Sequence, residues 1–178
     1  VSRAERSNDA VELPAPLLGE WACLGVLYDD PAHGWAVAAR LGPDGDLGRV
    51  WHVSRPLTYR ALDQLAARGW VGAVAVEPGA GGPRRTVLRA TRSGRAQLRS
   101  WVRSPVPHLR DLRSELLLKL VLADLHDLDV GGMLDEQRGL VDRTIAGLDV
   151  SGRPDDLVRE WRWEMAHAAR RFLDGIDR

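Results

Sequence analysis

The side chains equipped to meet a polyanion crowd into one short interval. Ser54, Arg55, Thr58 and Tyr59 stand at the front of a segment with helical apolar spacing, and Arg84 and Arg85 follow a glycine-rich turn. Hydroxyl and guanidinium groups near a helix N-terminus reach base edges and phosphates of a DNA major groove. Arginines beside a hairpin tip follow the adjacent backbone. Charge singles out the same interval. The 178-residue chain is neutral overall, but residues 53–104 hold ten Arg against two acids, a net of +8. Residues 1–52 carry four Arg against eight acids, and residues 105–178 ten Arg and one Lys against fifteen acids, each a net of −4. A basic block between two acidic ones is the footprint of a polyanion-binding face, although a solvated arginine surface gives the same count. Arg92, Arg95 and Arg99 read as such solvated charges.

Other chemistries find little support. His33, His52, His108, His126 and His167 show no metal-ligand spacing, so no metal site is expected. Gly79–Gly82 joins two strands and lacks a following Lys-Ser/Thr, which excludes a phosphate-binding loop of the nucleotide type. No Ser-His-Asp or paired-carboxylate arrangement stands out, and no catalytic residue or cofactor is assigned. The single cysteine, Cys23, lies in an apolar stretch and reads as a core residue; no disulfide framework is possible within one chain. No apolar run is long enough for a membrane span. Val1 to Pro16 is polar and without a signal-peptide core, which reads as an arm of a cytoplasmic protein.

The elements that must position the basic interval follow from local signals. Leu17–Tyr28 (LLGEWACLGVLY) is a mostly buried helix ended by Asp29, Asp30 and Pro31, and His33–Leu41 is a second. Gly42–Gly48 is a loop. Ser54 is an N-cap, Pro56 sits in the first turn, and Gly69 is the expected C′ glycine of a third helix. Its core face is Leu57, Ala61, Leu62 and Leu65. Trp70–Glu77 and Arg84–Ala90 are strands around the turn Pro78–Pro83, and Thr91 caps a further helix. Ser104, Pro105 and Pro107 mark a boundary. Beyond it, Leu109–Leu128 is apolar nearly all round its middle. Met133–Leu148 is helical, with Gln137 the polar exception in its apolar pattern. A last helix carries Leu157, Trp161, Met165, Ala168, Phe172 and Ile176 on one stripe. The expected fold is mainly α with a small β-hairpin: an arm (1–16), a winged helix-turn-helix domain (17–104) and a helical dimerisation domain (105–178).

Several stretches resemble the PadR family of transcriptional regulators. Tyr59–Val71 (YRALDQLAARGWV) is similar to that family's recognition helix, Gly82–Leu98 to its wing strand and next helix, and His33–Leu41 to its second helix. Arg113–Ala123 (RSELLLKLVLA) resembles the start of the longer C-terminal domain of one subgroup. The resemblance implies a homodimeric DNA-binding regulator, usually a repressor, released by a small molecule. It also implies that Tyr59 contacts the DNA backbone and that the residues before it enter the groove. Pro56, Leu57 and Thr58 depart from the small residue and leucine that the family places before the tyrosine.

Seven tryptophans against one phenylalanine invite a pocket for flat, apolar effectors. Trp161 and Trp163 are the leading candidates and lie on different sides of their helix. Trp21 and Trp35 are further candidates, although, like Trp70 and Trp101, they fit an aromatic core better than a pocket. Expected partners are thus a double-stranded operator, a second copy of the chain and a small-molecule effector. The rival reading is a winged-helix protein-interaction module without DNA binding.

Overall fold

Helix α1 (Leu18–Val26) is buried from Glu20 onward, because Trp21, Ala22, Cys23, Leu24 and Val26 leave it no polar face to turn to water. The computed structural model describes residues 14–78, 84–149 and 156–176. Most of the expected arm, the glycines Gly79, Gly81 and Gly82 of the turn, and the break at Gly152 and Pro154 lie outside those residues. After α1 come strand β1 (Ala32–His33), helices α2 (Gly34–Arg40) and α3 (Arg55–Ala67), strands β2 (Val71–Glu77) and β3 (Arg85–Ala90), and helix α4 (Arg92–Val102). The sheet is antiparallel in the order β1-β3-β2, with a bulge between Ala73 and Ala75. Three helices closed by an antiparallel hairpin make this a winged helix-turn-helix. The remainder is helical: α5 (Leu109–Asp111), a π-helical turn (Leu112–Leu116), α6 (Leu117–Leu125), α7 (Gly131–Asp149) and α8 (Leu157–Asp174).

The caps follow the local signals. Ser54 is the extended N-cap of α3 with Pro56 in its first turn, and Gly69 follows its end at φ +69°. The Thr91 hydroxyl accepts from the Gly94 amide at 3.0 Å and donates to the Gly69 carbonyl at 2.8 Å, so one side chain caps α4 and holds it to the end of α3.

One continuous cluster of buried side chains runs from Trp21 to Leu173, across the segment break at Ser104–Pro107. Gly25 of α1 meets Leu122 of α6 so closely that a Cβ there would stand 2.5 Å from a Leu122 methyl. His126, at the end of α6, lies 2.9 Å from the Gly25 carbonyl and 2.6 Å from the Asp29 carboxylate. Three tryptophans form a stack across the same junction. Trp21 lies parallel on Trp101 at 4.9 Å and tilted against Trp70 at 5.4 Å. Arg68 stands over Trp70, and Lys119 over Trp101 at 4.9 Å. Lys119 is fully buried. Its ammonium donates to the Ser104 carbonyl at 2.8 Å and pairs with Glu115 at 2.9 Å, and desolvation lowers its pKa against the pull of that carboxylate.

Four expectations change. Leu57 is 55% exposed, and the core face of α3 is Thr58, Ala61, Leu62 and Leu65. The helix expected over Leu109–Leu128 is interrupted by the π-helical turn and ends at Leu125. Gln137 is buried because its amide fills both needs of Val106: the Val106 amide donates to Gln137 Oε1 at 2.6 Å, and Gln137 Nε2 donates to the Val106 carbonyl at 3.0 Å. In α8 the expected stripe faces largely outward. Leu157, Trp161 and Phe172 are exposed, while Ala166 and Leu173 pack inward.

Candidate nucleic-acid interface

Successive residues of a helix turn by about 100°, so burial of Thr58, Ala61, Leu62 and Leu65 puts Pro56, Arg60, Asp63 and Ala67 on the opposite, outward side of α3. Leu57 and Tyr59 flank that side. Arg55, Pro56, Leu57, Tyr59, Arg60 and Asp63 are all exposed. Thr58 is not available. It is fully buried, and its hydroxyl donates to the Ser54 carbonyl at 3.1 Å, one turn back in its own helix. Thr58 therefore holds the start of α3, and its side chain is not available for the expected groove contact. Ser54 caps by backbone alone; its hydroxyl makes no cap hydrogen bond.

Tyr59 is 45% exposed. Its ring edge lies over Gly34 at the start of α2, where a Cβ would stand 2.7 Å from Tyr59 Cε1. The absent side chain at position 34 thus seats the tyrosine. Next to it, His33 reaches both wing strands: Nε2 lies 3.0 Å from Glu77 Oε2, and Nδ1 3.3 Å from the Thr86 carbonyl. A short relay of contacts, Tyr59–Gly34 and His33–Glu77/Thr86, ties the outward helix to the wing.

The ten arginines of the basic block divide into two sets. Arg68 pairs with Glu20 at 3.4 Å and donates to the Pro14 carbonyl. Arg89 donates to the Asp29 carbonyl, Arg95 to the Ala90 carbonyl, Arg99 to the Tyr28 hydroxyl and Arg103 to the Asp129 carbonyl. These five hold the fold together, Arg95 and Arg99 among them. Arg55, Arg60, Arg84, Arg85 and Arg92 are exposed, and no hydrogen bond or ion pair engages them among the described residues. Arg55 is exposed at the first residue of α3, Arg60 lies on its outward side, and Arg84 and Arg85 stand at the entry to β3. A set of uncompensated guanidinium groups on one helix and its wing suits phosphate oxygens.

Sequence reasoning missed Arg60 and the exposure of Leu57. The signal was available in the angle: Arg60 lies one turn beyond Pro56, opposite Ala61, Leu62 and Leu65.

The tryptophans proposed for an effector are not brought together. Trp161, 66% exposed, lines a cavity of about 410 Å³ with Pro107, His108, Leu109, Thr144 and Met165, and Arg110 and Arg162 stand at its wall. Trp163 is turned away and packs on His167, ring centroids 3.9 Å apart. Trp35 is exposed on α2, and Trp21 is a buried member of the stack, so neither belongs to that cavity. Cys23 is buried, and burial pushes its thiol up to about 12, which leaves no thiolate at neutral pH. Among the described residues no cluster of His, Cys, Asp and Glu is arranged to hold a metal, and no helix is long and apolar enough to cross a membrane.

No family profile matches the chain, and no curated protein matches it. Among solved structures, the chain is similar to Bacillus subtilis PadR in complex with operator DNA, at 18% identity and a TM-score of 0.47, covering 87% of this chain and 94% of that one. It is also similar to smu.1604c from Streptococcus mutans, at 17% identity and a TM-score of 0.46, covering 89% and 97%. Likeness at this level decides nothing about function, and the fold stands on its own element order.

Proposed function

We propose that this chain is a PadR-type transcriptional regulator that binds double-stranded DNA as a homodimer and whose binding is altered by a small apolar or aromatic effector. The observation that carries the reading is the division of the arginines. Those at the front of α3 and the start of β3 have no side-chain partner among the described residues, while five others of the same basic block, Arg68, Arg89, Arg95, Arg99 and Arg103, are committed to structure. Guanidinium groups left open together on one helix and its wing match the charge of a polyanion. In this reading residues 17–104 are the reading unit, with Ser54, Arg55, Tyr59, Arg84 and Arg85 on phosphates or groove edges, and residues 105–178 pair two copies. The outward stripe of α8, with Leu157, Trp161 and Phe172, supports the pairing: an exposed apolar patch on a helix costs free energy until covered. Two copies then present two recognition helices to successive major grooves, roughly 34–36 Å apart.

The cavity beside Trp161 is the effector site in this reading. It is walled by the connecting segment Pro107–Arg110 as well as by α7 and α8, so a molecule lodged there acts on the segment leading to the reading unit. It represses or releases only in so far as it binds one arrangement of the dimer better than the other.

The test is binding to the gene's own upstream DNA across a salt series. A steep negative slope of log affinity against log salt supports the proposal. Absence of binding to every duplex at low salt overturns it in favour of a winged-helix protein-interaction module.

A further inference from the structure

A helix that meets phosphate with arginines still needs groups that tell one base pair from another. On α3 the outward residues are few. Pro56 has no donor, Thr58 is buried, and the Tyr59 ring leans on Gly34 beside α2. On the flank away from Tyr59, two exposed side chains remain with no structural work: Leu57 and Arg60. Neither is explained by the chain itself. Leu57 is a large aliphatic group left 55% exposed at the front of a helix, and Arg60 engages no acid among the described residues, although Asp63 stands three residues on.

We propose, building on the DNA-binding reading above, that Arg60 and Leu57 are the pair that reads sequence. Arg60 addresses the O6 and N7 acceptors of a guanine, and Leu57 packs on the C5-methyl of a thymine. The chemistry matches each group to what a major groove displays: a guanidinium fork fits the two guanine acceptors, and the thymine methyl is the apolar feature of the groove floor. The spacing matches as well. Residues three apart on a helix are neighbours on its surface and about 4.5 Å apart along its axis, close to the roughly 3.4 Å between stacked bases. The half-site this predicts contains a guanine and a thymine at adjacent or next-adjacent base pairs.

The experiment selects duplexes from a randomised library with the full-length wild-type chain, then measures affinity for the enriched duplex and for versions altered one atom group at a time. Replacing the guanine by 7-deazaguanine weakens wild-type binding by about tenfold. Replacing the thymine by deoxyuridine, which deletes the methyl, weakens it by roughly fourfold. Arg60→Ala loses the response to the first change and keeps the second; Leu57→Ala does the reverse. Both positions are exposed, so unchanged thermal melting of each variant is expected and is checked alongside. An enriched sequence on which neither base change matters, or which both variants select unchanged, overturns this assignment and leaves DNA binding standing. Enrichment of no sequence, with no binding to any duplex at low salt, overturns the DNA-binding reading and this assignment with it.

Discussion

Among the described residues, two outward faces contrast, and their open groups differ in kind. On α3 and the start of β3 the open groups are cations: Arg55, Arg60, Arg84 and Arg85. On α8 they are hydrocarbon: Leu157, Val158, Trp161 and Phe172. The first face is hydrated and stable alone, and its attraction for a partner is long-ranged and weakened by salt. The second gains by excluding water and has no reach beyond contact. In the proposed function the two faces therefore take different partners. The contrast also predicts that each can be disabled without the other.

The largest expected effect lies on α8. Phe172→Glu places a charge on the apolar stripe and raises the dimer dissociation constant by roughly 100-fold, as read by analytical ultracentrifugation, while binding of a half-site duplex at high protein concentration persists. A variant still dimeric at micromolar concentration would place the pairing surface elsewhere. Next in size is Gly34→Ala. The added methyl meets the Tyr59 ring at 2.7 Å, and overpacking of this kind costs about 1–3 kcal/mol, visible in urea unfolding, with a parallel fall in DNA affinity as the tyrosine is displaced. Normal stability and affinity would show that the seat of Tyr59 yields freely. The double change Arg84→Ala and Arg85→Ala leaves stability and dimerisation intact but lowers the slope of log affinity against log salt by roughly two. An unaltered slope would remove the wing from the interface. The smallest effect is a gain. Asp63→Asn takes a carboxylate off the outward face of α3, and affinity for random duplex rises by about threefold, most clearly at low salt; a loss would mean that Asp63 accepts a hydrogen bond from a base.

Much of the winged unit was legible because its signals are local. Ser54 and Pro56 open α3, Gly69 follows its end at a positive φ, and Thr91 caps α4, each by chemistry within a few residues. What escaped depends on distant partners. Strand β1 has two residues, with no pattern of its own, and exists through its pairing with Leu88 and Val87. Thr58 reads as a surface residue until its hydroxyl is seen to be satisfied by Ser54 inside the same helix, which removes most of the cost of burying it. With Thr58 turned in, Leu57 turns out, so reading by polarity misplaced both. The stripe on α8 was visible as a periodicity, but periodicity does not say whether the covering surface lies in the same chain. The tryptophans divide for the same reason: Trp21 met Trp101 and Trp70 from other segments, and Trp161 met none of them.

The pair of hydrogen bonds between Gln137 and Val106 has a consequence for the proposed operator. A proline-flanked segment such as 104–107 reads as a swivel, yet its central peptide groups are clamped on both sides by one buried amide. In the proposed dimer, with the link fixed, the distance between paired reading heads becomes a calliper set by helices, not a tether that adapts. The proposed regulator then reads spacing as strictly as letters: a site with two perfect half-sites and one extra base pair between them is, to it, a different site.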